Sequence, residues 1–298
     1  MRVFLTGATG FIGSAIIPEL LSAGHQVTGL ARSDAAATTL AAAGVQVHRG
    51  ALDDVASLQR GAAAADGVIH TAFIHDFMDM AAAGRTDRAA IAAFGAALVG
   101  SGRPLVVTSG TAHLPGGRSS TEDDAPDANG PARHRISSEE ATLDLAGRGV
   151  RACLIRLPPS VHGDGDHGFV PALIGIARAK GLSAYVGDGM NRWPAVHRLD
   201  AARLFRLALE QGVAGARYHG IADPGVPVRD IAEVIGRRLG LPVASRSAQD
   251  AAGHFGWLAT FIALDRPASS TLTRQRLGWK PVHAGLLADL DRPAYFTA

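Results

Sequence analysis

Thr6-Gly7-Ala8-Thr9-Gly10-Phe11-Ile12-Gly13 follows the apolar run Arg2-Val3-Phe4-Leu5, and from Ile12 onward Ala15, Ile16 and Leu20 fall on one face at helical spacing. The glycines therefore lie where a buried strand turns into a helix. Gly7 permits the tight turn, Gly10 lets the backbone approach a pyrophosphate, and Gly13 lets the helix pack closely on the strand. Phosphates placed there meet the unpaired N–H groups and the positive dipole end of the helix. The alternative is a strand–helix turn whose glycines serve packing alone.

Working outward, the chain has 298 residues, 47% hydrophobic and 19% charged, enough for a sizeable core. The net charge is +2, and Lys180 and Lys280 are its lysines. No basic run or basic patch interleaved with aromatics argues for nucleic acid. Cys153, the single cysteine, sits in Ala152-Cys153-Leu154-Ile155 and reads as a small core residue, with no intrachain disulfide available to it. The first strand begins at once and no apolar run reaches membrane-spanning length, so the expectation is a soluble, cytoplasmic protein.

Strands are expected at 3–6, 26–31, 45–48, 67–71, 104–108 and 151–157, with helices between them at about 11–23, 35–43, 54–64, 76–100 and 133–147. That alternation implies an α/β fold of Rossmann type, a doubly wound parallel sheet whose ligand lies beyond the strands' carboxyl ends. After Leu157 the pattern changes. Pro158-Pro159 stops the strand, 163–168 is a loop, and 169–180, 200–211 and 228–239 read as helices. The expected division is a dinucleotide-binding domain over 1–157 and, over 158–298, mainly a smaller substrate-binding lobe, some segments of which return to the sheet. Residues 115–132, rich in Gly, Pro, Ser and Asp, form a long loop and a candidate lid.

At this point the chain resembles the extended short-chain dehydrogenases/reductases, the group of sugar-nucleotide epimerases and dehydratases. Residues 6–13 look like that family's fingerprint, which adds Thr9, Phe11 and Ile12 to the cofactor contacts. Arg156-Leu-Pro-Pro-Ser-Val-His-Gly163 is similar to its Arg-Pro…Val-Tyr-Gly segment beside the nicotinamide, implying contacts from Pro158, Ser160 and Val161. Val196-His-Arg-Leu-Asp200 resembles its Val-His-Val-Asp-Asp run, and Trp279-Lys280-Pro281 matches a C-terminal feature. The resemblance implies a homodimer through the helices near 76–100 and 133–147.

The family's Tyr-x-x-x-Lys is missing. Tyr185, Tyr218 and Tyr295 are the tyrosines, and none has lysine four residues later. Arg135 falls at the Tyr position and Glu139 at the Lys position, and the two are expected to pair across one helical turn. Ala51 replaces an aspartate that touches adenine in the family, leaving backbone contacts around Leu52.

The second strand ends Ala31-Arg32-Ser33-Asp34, without the acid that accepts a ribose 2′-OH in NAD sites. A guanidinium can pair with a 2′-phosphate and stack on adenine, and Ser33 can add a hydrogen bond, so NADP(H) is the expected cofactor. The alternative has Arg32 solvated and Asp34 turned toward a ribose. Thr71, Ala72 and Phe73, at the end of the fourth strand, are expected to line the cofactor. The resemblance puts a substrate-polarising hydroxyl at Ser109 or Thr111. His113, His134, Arg135 and Tyr185 are the candidates for proton donation or oxygen polarisation. His75, Asn191, Trp193 and His197 are expected around the substrate, with Trp193 equally explicable as packing. His162, Asp164, Asp166 and His167 have metal-ligand chemistry, as does the group His70, His75, Asp76 and Asp79, but no metal is expected.

The resulting expectation is an NADP(H)-dependent oxidoreductase acting on a carbonyl- or imine-like group of a small organic substrate. The alternatives are a non-catalytic NADP(H) sensor and an NAD-dependent sugar-nucleotide epimerase or dehydratase.

Overall fold

The computed structural model describes residues 1–75, 79–130 and 133–297. Its first half alternates β1 (Arg2–Thr6), α1 (Gly13–Ser22), β2 (Gln26–Ala31), α2 (Asp34–Ala42), β3 (Gln46–Arg49), α3 (Val55–Ala63), β4 (Gly67–His70), α4 (Met80–Leu98), β5 (Pro104–Gly110), α5 (Ile136–Ala146) and β6 (Arg151–Leu157). The strands lie where the apolar runs place them. Val3, Phe4 and Leu5 are fully buried, as expected of a strand covered on both faces. Helix 133–147 opens with a 3-10 turn over Arg133–Arg135. Helix α4 is capped by Asp79, whose carboxylate accepts from the Ala82 N–H at 2.8 Å. Asp76, and with it the expected helix start at 76–78, lies outside the described residues, as does the end of loop 115–132.

The second half contains β7 (Ser160–His162), α6 (Phe169–Lys180), β8 (Ser183–Val186), β9 (Arg192–His197), α7 (Arg198–Gln211), β10 (Arg217–His219), β11 (Asp223–Pro227), α8 (Val228–Leu239), β12 (Val243–Arg246), α9 (Ala251–Phe255), α10 (Ala259–Ile262), α11 (Thr271–Leu277) and α12 (Leu286–Leu290). The main sheet has seven strands in the order β10-β6-β5-β4-β1-β2-β3, all parallel. Strand β10 returns from the second half to lie beside β6. One face buries Ile16, Leu20, Leu40, Leu204, Phe205 and Trp279. The other buries Leu58, Ile91, Phe94, Leu98 and Leu145. Phe94 is fully buried on the alanine-rich α4, and a side chain of that size contributes about 1.5–3 kcal/mol by leaving water. The strand order reverses between β1 and β4, which opens the ligand crevice there.

A third core, with Trp193, Ile231, Phe255 and Leu258, holds the C-terminal lobe. There β7 pairs with β9 and β9 with β11, while β8 pairs with β12. The candidate lid is instead a pinned loop. Ser120 N–H donates to the Pro267 carbonyl at 2.9 Å and Ser269 N–H to the Ser120 carbonyl at 2.8 Å. Buried Glu122 accepts from the Thr273 N–H and hydroxyl, both at 2.6 Å. Polar pinning of this kind is invisible in a loop's composition.

Candidate functional site

At the crevice the glycines do what the spacing demands. Gly7 has φ +69°, and a Cβ there would meet Ala72 N at 2.7 Å. A Cβ on Gly13 would come within 2.1 Å of the Gly7 carbonyl. The Gly10 N–H closes the turn onto that carbonyl at 2.9 Å. The first turn of α1 carries no acidic residue and no side-chain cap, so nothing there opposes an anion at the positive end of the helix dipole. The Thr71 hydroxyl donates to the Thr6 carbonyl at 2.8 Å, locking the ends of β4 and β1 together. Thr71, Ala72 and Gly7 thus meet at one wall of the crevice.

At the end of β2, Arg32 is exposed and, among the described residues, has neither ion pair nor hydrogen bond. Ser33 caps α2, its oxygen accepting from Ala36 N–H at 3.2 Å. Asp34 does not turn inward: its exposed carboxylate pairs with Arg49 at 2.6 Å. Leu52 is half-buried against the second face of the sheet. A dinucleotide therefore fits this end: the glycine cradle has no room for side chains, and Arg32 is an unpaired cation.

The opposite side of the crevice departs from expectation. Arg135 and Glu139 do not pair with each other. Arg135 Nη1 lies 3.2 Å from Asp87 Oδ2, its Nη2 donates to the Thr108 carbonyl at 2.5 Å, and its guanidinium stacks 4.1 Å from the Phe73 centroid. Asp87, wholly buried, also meets His70 Nε2 at 3.1 Å, and His70 Nδ1 meets the Thr6 hydroxyl at 2.6 Å. Burial would raise the Asp87 carboxyl, but bonds to His70 and the Arg135 charge outweigh it and hold it below its ordinary value. Burial lowers Arg135, which the charges of Asp87 and Glu139 oppose.

Glu139 reaches Arg156 instead, a bidentate pair at 2.9 and 2.7 Å, and its Oε1 lies 2.9 Å from His113 Nε2. Burial again pushes upward, but Arg156 and then His113 keep this carboxyl well below the usual carboxylate range. Helical spacing misled here because the stronger partners come from β6 and from the turn after β5.

The hydroxyls of Ser109, Thr111 and Ser160 are buried and, among the described residues, have no partner; the same is true of His113 Nδ1. Buried polar atoms are normally satisfied, so these groups at and near the carboxyl edge of β5 have bonding capacity to spare. Next to them lies a small cavity lined by Ala112, Pro159, Trp193, Phe261, Leu264 and Arg266. Trp193 is thus both packing and cavity wall. His134 is half-buried near Phe73, its pKa lowered to about 4 by burial and then by Arg135; His75 is lowered for the same reasons.

Other candidates lie elsewhere. Tyr185 sits on β8 beneath Arg229, whose Cζ is 5.7 Å from its ring, among β12, α6 and α8. The Asn191 side-chain N–H group donates to the carbonyls of Ile262 and Leu264 at 2.8 and 3.2 Å, tying the chain just before β9 to the end of α10 and the segment after it. His197 caps α7 and stacks on His283 with centroids 4.6 Å apart. Pro158 and Val161 flank Ser160 at β7. His162, Asp164, Asp166 and His167 diverge. His162 pairs with Asp289 at 2.9 Å and Asp164 with Arg292 at 2.9 Å, Asp166 accepts from Gly168 N–H at 2.8 Å, and His167 edges onto Phe11. Burial pushes the Cys153 thiol up to about 12, as befits an inert core residue. Among the described residues, no helix is long and apolar enough to cross a membrane.

The chain is 52% identical over 298 residues to protein C2A9.02 of Schizosaccharomyces pombe, whose function is uncharacterized, covering 99% of this chain and all of that one. It is 29% identical over 258 residues to the 2-alkyl-3-oxoalkanoate reductase of Stenotrophomonas maltophilia, covering 81% and 77% of the two chains. The crystal structure of DesIV, a dTDP-glucose 4,6-dehydratase from Streptomyces venezuelae with NAD bound, superposes with a TM-score of 0.79 at 21% identity, covering 99% and 97%. The model of the NAD dependent epimerase/dehydratase family matches residues 3–221, and the chain belongs to that family.

Proposed function

We propose that this protein is an NADP(H)-dependent oxidoreductase that acts on a carbonyl- or imine-like group of a small organic substrate. The observation that carries the reading is the set of buried, unpartnered hydroxyls of Ser109, Thr111 and Ser160 beside a small, mostly apolar cavity. A nicotinamide bound in the crevice supplies or accepts the hydride. Gly7, Gly10 and Gly13 cradle the diphosphate and Arg32 takes the 2′-phosphate. Ser109 and Thr111 donate to the substrate oxygen. Arg135 stays charged, so it stabilises negative charge on that oxygen and does not act as an acid. His113, two residues beyond Thr111 and beside Glu139, is assigned the delivery of the proton.

The 3-oxoalkanoate reductase relative, whose name is that of a carbonyl reducer, supports the reaction class. The small apolar cavity and the unpaired Arg32 weigh against the nucleotide-sugar chemistry of DesIV. One observation favours a second reading, a cofactor sensor without turnover: Arg135 and Glu139 are both held in buried ion pairs. A homodimer through α4 and α5 is part of the proposal, tested by light scattering.

The test pairs calorimetry with NADPH and NADH with a panel of carbonyl and imine substrates followed at the nicotinamide absorbance. Selective NADPH binding with turnover is the expected result. NADPH binding without oxidation of the cofactor by any substrate moves the assignment to the sensor.

A further inference from the structure

We propose that Arg198, the first residue of α7, binds the dinucleotide's diphosphate from the C-terminal half of the chain. This rests on the reading that a dinucleotide occupies the crevice, but not on the choice between NADPH and NADH, which share the diphosphate.

Arg198 crosses from α7 to the glycine cradle. Its Cζ lies 4.7 Å from the centroid of Phe11, inside the Gly10–Gly13 turn. Nη2 is 3.2 Å from the Ser14 hydroxyl in the first turn of α1, and Nη1 donates to the Asp164 carbonyl at 2.7 Å. Those bonds use two of five N–H donors. Nε is buried without a partner among the described residues. No carboxylate there neutralises the guanidinium: Asp164, the nearest acid in sequence to its contact, gives its carboxylate to Arg292 at 2.9 Å. Room for the side chain comes from Gly163, where an added Cβ would stand 2.9 Å from Arg198 Cγ.

A planar cation with uncommitted donors therefore sits beside a helix N-terminus that carries no acid of its own. Both favour the same ligand, an anion with several oxygens. The run that Val196-His-Arg-Leu-Asp200 resembles has valine in the middle, so this contact belongs to the chain and not to the general pattern. Binding would also tie loop 163–168, through the Asp164 carbonyl, to cofactor occupancy.

Calorimetry with three probes tests this: NADPH, ADP-ribose, which carries the diphosphate, and 2′-AMP, which lacks it. Arg198→Ala is expected to weaken NADPH and ADP-ribose about tenfold to a hundredfold, the scale of a charged hydrogen bond, while 2′-AMP is unchanged. Arg198→Lys, which keeps the charge and loses the fork, should fall between, and it serves if the alanine variant does not fold. NADPH binding to either variant as tightly as to the wild type overturns the proposal, and so does equal weakening of all three probes. A wild-type protein that binds neither NADPH nor NADH overturns the cofactor reading itself, a separable result.

Discussion

The two walls of the crevice are built on different principles. The β1–α1 wall is made of backbone: an added Cβ at Gly7 or Gly13 would strike the neighbouring main chain. The β5–α5 wall is made of buried charge: Arg135 with Asp87, and Glu139 with Arg156 and His113. A backbone site is fixed by local conformation and is written in a few consecutive residues. A charge site depends on partners 17 to 48 residues away (Glu139 to Arg156, Asp87 to Arg135), which spacing along one helix does not reveal.

The largest expected effect tests the charged wall. Glu139→Ala strands Arg156 and should destabilise the fold by ~3–5 kcal/mol, since removing one partner of a buried pair leaves an uncompensated charge. Denaturant unfolding measures it. A loss under about 1 kcal/mol would mean the wall is hydrated and the contrast fails. On the backbone side, Arg32→Ala should weaken NADPH by ~1.5–3 kcal/mol in calorimetry and leave NADH unchanged. Equal losses for both cofactors would sink the 2′-phosphate assignment.

Gly13→Ala comes next. Its Cβ would meet the Gly7 carbonyl at 2.1 Å, so overpacking should lower stability by ~1–3 kcal/mol, with NADPH affinity falling alongside; a variant that binds NADPH normally would show that the turn can open.

The smallest effect is a pH dependence. His134 is held near pKa 4 when folded, against about 6.5 unfolded. Between those values the unfolded chain binds more protons, so stability should rise as pH climbs from 4 toward 6.5 and level off above it. His134→Gln should flatten that rise in unfolding midpoints at pH 5 and 7. An unchanged slope would assign it to other histidines, such as buried His219, also lowered to about 4.

The same contrast explains what the sequence discloses. Strand positions, the glycine cradle and the exposed Arg32 follow from local patterns of apolarity, turn residues and missing acids. The Arg135–Glu139 pairing fails because tertiary contacts decide it, and the bonds that pin loop 115–132 to Thr273 are equally remote in sequence. Asp87 was detectable: a lone carboxylate on the buried stripe Ala83, Asp87, Ala90, Ile91 and Phe94 of α4 needs a cation in the interior. Arg198 was detectable as a departure from valine, but its contact with Phe11 spans 187 residues.

Strand β10 has a consequence for dissecting the molecule. It covers the outer edge of β6, donating Arg217, Tyr218 and His219 to the register opposite Leu154, Ile155 and Arg156, while α7 packs on α1. A fragment ending at residue 157 would present a raw, apolar strand edge, the kind that recruits another chain. The first half is therefore not a module to be excised and grafted onto another protein: its last ladder is supplied by polypeptide that also walls the small apolar cavity, so the two parts fold together.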